Sequence, residues 1–445
     1  MHFLIALLFS FASFAADLAR APRSFSHRSG QAIYVDFTRA EYHLRYDVPA
    51  RTASVSARIS FTATESGHPI FDLAAEPTGL KLNGRTVGQS LVATPDGATR
   101  LRVLDAAVAS GRHVLEVLVP LTTLVEWEGA GVRSAFWATD LADRGYLERY
   151  LPANMEFDRV PMVFTVEFVG AGPQVIYANG EVNQQGNVFT VRFPERYTSS
   201  SVFFHTVPAG TMAETRFSLR SLDGREIPVV IYLKPGFFGG SERILATFKQ
   251  NTTAILAELE ADYGPFLHDS ITIYNAGSGG MEYCGATMTS AAALGHELTH
   301  SYFARGLMPA NGNAGWIDEA IASWRDSNYP RAGGISGNAN MAGRAAYTRY
   351  TDRAAYTYGA RFMSYLDGKY ADKGGLRPFL RKLVAEKAFL PYTTEDFVGW
   401  GEAHFGPGLK AEFDQRVYSG GKGRHGKSTH PFHRKLTLQE LRRHL

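Results

Sequence analysis

The stretch Leu294-Gly295-His296-Glu297-Leu298-Thr299-His300-Ser301-Tyr302 decides how the second half of this chain is read. Ser290 is a candidate N-cap, and residues 291–305 are good helix formers closed by Gly306. On a helix, positions i and i+4 share one face, so the imidazoles of His296 and His300 can converge on one cation. Glu297 then stands beside the metal without binding it, where a general base for an activated water belongs. Glu319 follows His300 with 18 residues between, inside Trp316-Ile317-Asp318-Glu319-Ala320. That gap holds the end of one helix, a Pro/Gly/Asn loop and the first turn of the next, so an antiparallel return brings Glu319 back as a third ligand. Two neutral histidines and one carboxylate suit a single zinc ion per chain, leaving it acidic enough to lower the pKa of water towards ~7.

Working outward, Ile271-Thr272-Ile273-Tyr274 reads as a strand leading into a glycine-rich turn. Before it, Ser241 reads as the cap of a helix that spaces Ile244, Phe248, Ile255 and Leu259 along one face and stops at Gly264-Pro265. A hairpin is expected at Asp223-Gly224, and residues 290–418 read as mostly helical. From about residue 31 to 207 the pattern changes to period two. Val55, Ala57, Ile59 and Phe61 alternate with polar neighbours, and residues 162–168 and 188–193 read as further strands. Asn83-Gly84, Asp96-Gly97 and Asn179-Gly180 read as tight hairpin turns.

At 445 residues the chain exceeds the ~250–300 residues that one core supports. Hydrophobic residues at 45% and charged residues at 20% exclude a largely disordered chain. The net charge of +3, from 46 basic and 43 acidic residues, gives no basic excess for nucleic-acid binding. The single cysteine, Cys284, excludes an intrachain disulfide and a zinc site built from several thiolates. Residues 3–12 are apolar and lead into Ser13-Phe14-Ala15, so residues 1–16 read as an export signal cleaved after Ala15 or Ala16. The apolar run is short of the roughly 20 residues that span a bilayer, so the mature protein is expected to be periplasmic or secreted, without membrane insertion.

On these motifs the chain resembles the zinc aminopeptidases of the alanyl-aminopeptidase and leukotriene-hydrolase type. Their signature is H-E-x-x-H, eighteen residues, then E, preceded by a G-x-M-E-N strand; here the strand reads Gly279-Gly280-Met281-Glu282-Tyr283. The resemblance implies that Glu282 grips the substrate's free α-ammonium and that the strand backbone, through Gly279, Gly280 and Met281, pairs with the peptide. It also implies an oxyanion-binding tyrosine at Tyr356, from Tyr356-Thr357-Tyr358-Gly359, with Tyr358 and Tyr350 as alternatives. Asp140, in Phe136-Trp137-Ala138-Thr139-Asp140, falls where the family has a second ammonium-binding acid. The implied fold is multidomain. An N-terminal antiparallel β domain (17–210) precedes an α+β, thermolysin-like, mostly helical catalytic domain (211–420), and a basic tail (421–445) follows.

Tyr283 replaces the family's asparagine, and the 14-residue gap from Glu282 to His296 is short, so a helix between them is expected to be lost. The compact spacing also resembles the glycyl-aminopeptidase relatives, but their added peptide-binding module has no counterpart here. Asp318 reads either as an orienter of a zinc-ligating histidine or as a helix cap, and Cys284 either as a small packed residue or as a reactive or inhibitory thiol. The expected activity is zinc-dependent hydrolysis of the N-terminal bond of peptides with a free amino terminus. The rivals are a zinc endopeptidase without free-amine selectivity and a non-catalytic peptide-binding relative, which would have no need of Glu297.

Overall fold

The computed structural model describes residues 18–135, 149–153, 155–236, 240–310, 313–343, 346–347 and 351–418. The chain divides into two compact units, one running to Gly210 and the other beginning at Thr211. The expected signal, residues 136–148 with Asp140, Tyr350, and the basic tail lie outside the described residues.

The first unit is built on β-sheets. Its largest has eight strands: Asp36–Asp47 (β1), Thr52–Ala63 (β2), Gly79–Leu82 (β3), Arg85–Thr86 (β4), Gly111–Pro120 (β5), Met162–Val169 (β6), Glu181–Gln185 (β7) and Val188–Arg192 (β8). Their spatial order is β7-β8-β6-β1-β2-β5-β3-β4. Alternation sets which face is buried. Along β6 the residues Met162, Phe164, Val166 and Phe168 are buried and the intervening ones are not. The sheet is not purely antiparallel, because β6 runs parallel to β1. Asn83-Gly84 makes the expected turn between β3 and β4, with both residues at positive φ (52° and 77°).

Asn179-Gly180 does not make a hairpin. The strand before it, Gln174–Ala178, belongs to a different sheet from β7, so the dipeptide carries the chain from one sheet to another. Asn179 is buried, donates to the Ser201 carbonyl at 2.6 Å and accepts from the Phe203 N–H at 2.8 Å. It is a bracket inside the fold, which dipeptide statistics do not distinguish from a turn.

The second unit opens with a hairpin, Ala213–Arg220 (β9) and Glu226–Leu233 (β10), followed by the helix Ser241–Tyr263 (α1). Then come Ile271–Asn275 (β11), Gly280–Tyr283 (β12) and Ala286–Thr289 (β13). The strand order is β9-β10-β11-β13-β12, which leaves β12 at the edge. The stretch between Glu282 and the histidines is therefore a strand, β13, as the short gap requires. Helices Leu294–Phe303 (α2), Ile317–Asp326 (α3), Tyr358–Lys369 (α4), Leu376–Lys387 (α5) and Thr394–Phe405 (α6) follow.

Helix α1 is capped by Gly240, with Ser241 already inside it. Its buried face is Leu245, Phe248, Leu256, Leu259 and Tyr263, while Ile244 and Ile255 flank that face half-buried. The apolar stripe is wide enough that its centre lies one residue from where sequence spacing puts it. The core joins this face to Ile227, Val229, Ile231, Ile271 and Ile273 of the sheet. Trp316 and Trp324 are fully buried about α3. Gly359 lets α4 cross α3 closely, since a Cβ there would meet the Ala320 Cβ at 2.8 Å.

Candidate active site

Helix α2 starts at Leu294, three residues later than helix propensity suggests. Residues 291–293 form a turn in which the Ser290 hydroxyl accepts from the Ala293 N–H at 3.3 Å. All ten residues of α2 are buried. The i, i+4 spacing places the His296 and His300 rings edge to face, 4.7 Å between centroids. Helix α3 returns against α2 and delivers Glu319. Its Oε2 lies 3.1 Å from His296 Nε2 and 3.3 Å from His300 Nε2, and the three residues form a buried cluster of candidate metal ligands.

Each imidazole is also addressed from behind. Asp326 Oδ2 lies 2.7 Å from His296 Nδ1, and Asp318 Oδ2 lies 3.5 Å from His300 Nδ1. These contacts turn Nε2 of both rings towards Glu319. Asp318 is 1% exposed and the helix cap is Trp316, so Asp318 faces the histidine and does not cap. Asp326 is held in turn by Arg325 at 3.5 Å, and Arg325 makes a two-pronged pair with Glu258 at 3.1 and 2.6 Å. Gly295 gives the Arg325 guanidinium its room, because a Cβ on that glycine would collide with it.

Glu297 projects between α2 and the edge strand. Its Oε2 is buried with no hydrogen-bond partner among the described residues. One oxygen of Glu297, one of Glu282 and a nitrogen of His300 lie within 4.8 Å of one another. Gly280 of β12 packs on the Glu297 carboxylate so closely that a Cβ there would overlap it. Gly279 has φ 72°, and its carbonyl accepts from the Ser290 N–H at 3.2 Å, tying the strand entry to the start of α2. Met281 is buried, and its carbonyl accepts from the Thr287 hydroxyl at 3.0 Å.

Tyr356 closes a short 3-10 turn, Arg353–Tyr356, capped by the Asp352 side chain. Its hydroxyl donates to Glu319 Oε1 at 2.7 Å, and its ring stacks on His296 at 6.5 Å. Tyr358 is not brought there, since its hydroxyl donates to the Gly337 carbonyl. Glu282 has a partner that sequence reasoning missed: Arg305 Nη2 lies 3.1 Å from its Oε1.

With only the protein's own charges present, burial pushes the Glu297 carboxyl up to about 8, against the pull of the two histidines. Burial opposes charge on His296, but its bonds to Asp326 and Glu319 lift it to about 9. Burial opposes charge on His300 as well, and the Glu319 carboxylate raises it above its ordinary range. Glu319 is held well below the usual carboxylate range by the two histidines, although burial works the other way. A cluster of this kind concentrates negative charge against imidazole nitrogens and stabilises a cation there.

Asp326 and Arg305 were not singled out from sequence. Asp326 lies seven residues after Glu319, two turns on along the same helix face, and that spacing was the available signal.

No protein-family model matches the sequence, and a sequence search of curated proteins finds no match. Solved structures do share the fold. An M1 zinc metallopeptidase from Deinococcus radiodurans is 16% identical at a TM-score of 0.63, over 88% of this chain and 95% of that one. A mutant of that protein bound to a Tyr-Ser-Ala substrate is 15% identical at 0.64, with 88% and 95% covered. Leukotriene A4 hydrolase from Saccharomyces cerevisiae is 12% identical at 0.62, with 88% of this chain and 69% of that one covered. At these identities the likeness establishes the fold, a β-rich first unit followed by a largely helical second one.

Proposed function

We propose that this chain is a zinc-dependent peptidase with a thermolysin-like catalytic unit, and that it removes residues from the amino end of peptides. The observation that carries the reading is the convergence of His296 Nε2 and His300 Nε2 on Glu319 Oε2, at 3.1 and 3.3 Å, inside the protein. Tetrahedral zinc with bonds of about 2.0–2.1 Å separates its ligands by about 3.3 Å, so this donor set fits the ion in both chemistry and spacing. When bound, zinc would supply a Lewis acid that acidifies a water and polarises the scissile carbonyl.

The remaining roles belong to side chains of the second unit. Glu297, buried beside the two histidines, takes the proton of the attacking water and passes it to the departing amine. Tyr356 donates its hydroxyl hydrogen to the carbonyl oxygen as that oxygen gains charge, exchanging its bond to Glu319 for one to substrate. The peptide lies along β12, whose outer edge has no neighbouring strand among the described residues. Gly280 leaves no side chain between that backbone and Glu297. Glu282, one residue beyond Met281 on the same strand, faces the amino end of the peptide. The apolar run and small-residue site in residues 1–16 support an export signal, and with it an activity in the periplasm or medium.

The test is mass analysis of products from unblocked peptides with zinc-loaded protein and with Glu297→Gln. Release of single amino-terminal residues is expected, falling by about 10²–10⁴ in the variant while zinc stays bound. Near-normal turnover in zinc-loaded Glu297→Gln would remove Glu297 from this role.

A further inference from the structure

Glu282 does not stand alone at the edge strand. Its Oε1 accepts from Arg305 Nη2 at 3.1 Å, and the two side chains are 6% and 3% exposed. Arg305 is fixed at its backbone as well. Its N–H bonds to the His300 carbonyl at 2.9 Å, and its own carbonyl faces the Cys284 thiol at 3.6 Å. The Arg305 backbone is therefore anchored through both α2 and the β12–β13 turn, and its buried guanidinium is held on Glu282. Three carboxylates, Glu282, Glu297 and Glu319, gather around His300. Among the described residues, Arg305 is the one Lys or Arg ion-paired to any of them.

A buried carboxylate discriminates strongly for an ammonium when its charge is otherwise uncompensated. Here it is already compensated. An ammonium bound to the other Glu282 oxygen would sit about 6 Å from the guanidinium. Two like charges at that distance, with an effective dielectric near 20, weaken binding by about a hundredfold. Arg305 Nη2 is held on Glu282 Oε1, so its effect on specificity passes through Glu282.

We propose that Arg305 is a specificity-determining residue: a resident counter-ion that blunts the demand of Glu282 for a free α-ammonium, so that peptides with blocked amino termini are accepted alongside unblocked ones. This rests on the reading that Glu282 faces the amino end of the peptide, and it adds which amino ends that group admits. Arg305 acts by position and charge, not by contact with the reacting atoms.

The experiment is calorimetric binding of leucinamide and N-acetyl-leucinamide to zinc-loaded protein, which needs no turnover. The unaltered protein is expected to prefer the free amine by less than about tenfold. Arg305→Met should raise that preference by between about ten- and a hundredfold, whereas Arg305→Lys, which keeps the charge, should leave it where it was. The double variant Glu282→Gln, Arg305→Met removes both charges together and should show no preference, as an effect routed through Glu282 requires. In hydrolysis of a matched peptide pair, the gain in Arg305→Met should fall on KM of the free-amine peptide and not on that of the acetylated one. A preference above about a hundredfold in the unaltered protein would overturn the proposal, as would an unchanged or lower preference in Arg305→Met. The unaltered protein and the double variant decide the matter even if the single variant fails to fold. If no peptide is cut, the peptidase reading falls, and the binding ratios still judge Arg305.

Discussion

Replacing Asp326 by asparagine isolates the second layer of the site from the first. The Asp326 carboxylate meets His296 Nδ1 at 2.7 Å and is 14% exposed, so solvent screens the contact little. Asparagine keeps the shape and one acceptor oxygen but gives up the charge, and charge-assisted hydrogen bonds are roughly twice as strong as neutral ones. Arg325 stays balanced through its two bonds to Glu258. Outer partners of this kind are worth about 10–100-fold in metal affinity, or about 1.4–2.7 kcal/mol. Asp326→Asn should weaken zinc by about tenfold, and Asp326→Ala, which also frees the ring to rotate, by about a hundredfold. The assay is competition for zinc with a chelator of known affinity, at fixed pH. Turnover at saturating zinc should change far less, because neither Glu297 nor Tyr356 touches Asp326. Affinities within about threefold of the unaltered protein in both variants would refute the reasoning that the Asp326 bond orients His296.

Zinc binding should depend steeply on pH. In the metal-free protein, against burial, Asp326 and Glu319 lift His296 to about 9 and Glu319 raises His300 above its ordinary range, so both rings hold their protons more tightly than free imidazoles. Zinc requires both rings neutral, so affinity should climb as pH rises towards about 9, with net release of protons on binding near pH 7. Calorimetry in two buffers of different protonation heat counts them, and a count near zero would contradict the linkage. The sign for stability is the reverse. The raised His296 value stabilises the metal-free fold below its ordinary 6.5, and this contribution is lost as pH rises through about 9. Tyr356→Phe should lower kcat by about 10²–10³ with KM within a few fold. If zinc affinity falls instead and kcat at saturating zinc does not, Tyr356 is a clamp on Glu319 and not an oxyanion donor. Gly285, in the β12–β13 turn, has φ 62° and would drive a Cβ into the Ser270 carbonyl. Gly285→Ala should cost about 2–4 kcal/mol in urea unfolding, of which about 1–2 is the left-handed backbone alone. A loss below about 0.5 kcal/mol would mean the turn relaxes freely.

The parts of the site that the sequence discloses are those fixed by local geometry. His296, Glu297 and His300 are legible because a helix converts spacing directly into direction. Glu319 is legible because 18 residues just suffice for an antiparallel return. Asp326 and Arg305 are not legible, since an acid closing one helix and a base just beyond the end of another read equally well as solvated charges at helix ends. Only packing decides that both are turned inward. The same holds for Asn179-Gly180, where burial of the asparagine side chain, and not the dipeptide, determines its use. Zinc chemistry was read from five residues. What the anchor glutamate faces could be seen only once the chain had folded.

The parallel pairing of β1 with β6 sets the order in which the first unit can be made. Ala40 lies opposite Met162, so a strand laid down early in synthesis waits for a partner 122 residues later. Until β6 and its neighbours β8 and β7 emerge, β1 presents an unpaired edge twelve residues long. Contacts of such long range make the unit slow to fold, because the loop must close before the pairing can stabilise it. A nascent chain released at residue 135 would therefore be a sticky sheet fragment and not a smaller domain. In a pulse-labelled synthesis, protease resistance should appear for this unit only after about residue 193 has cleared the ribosome.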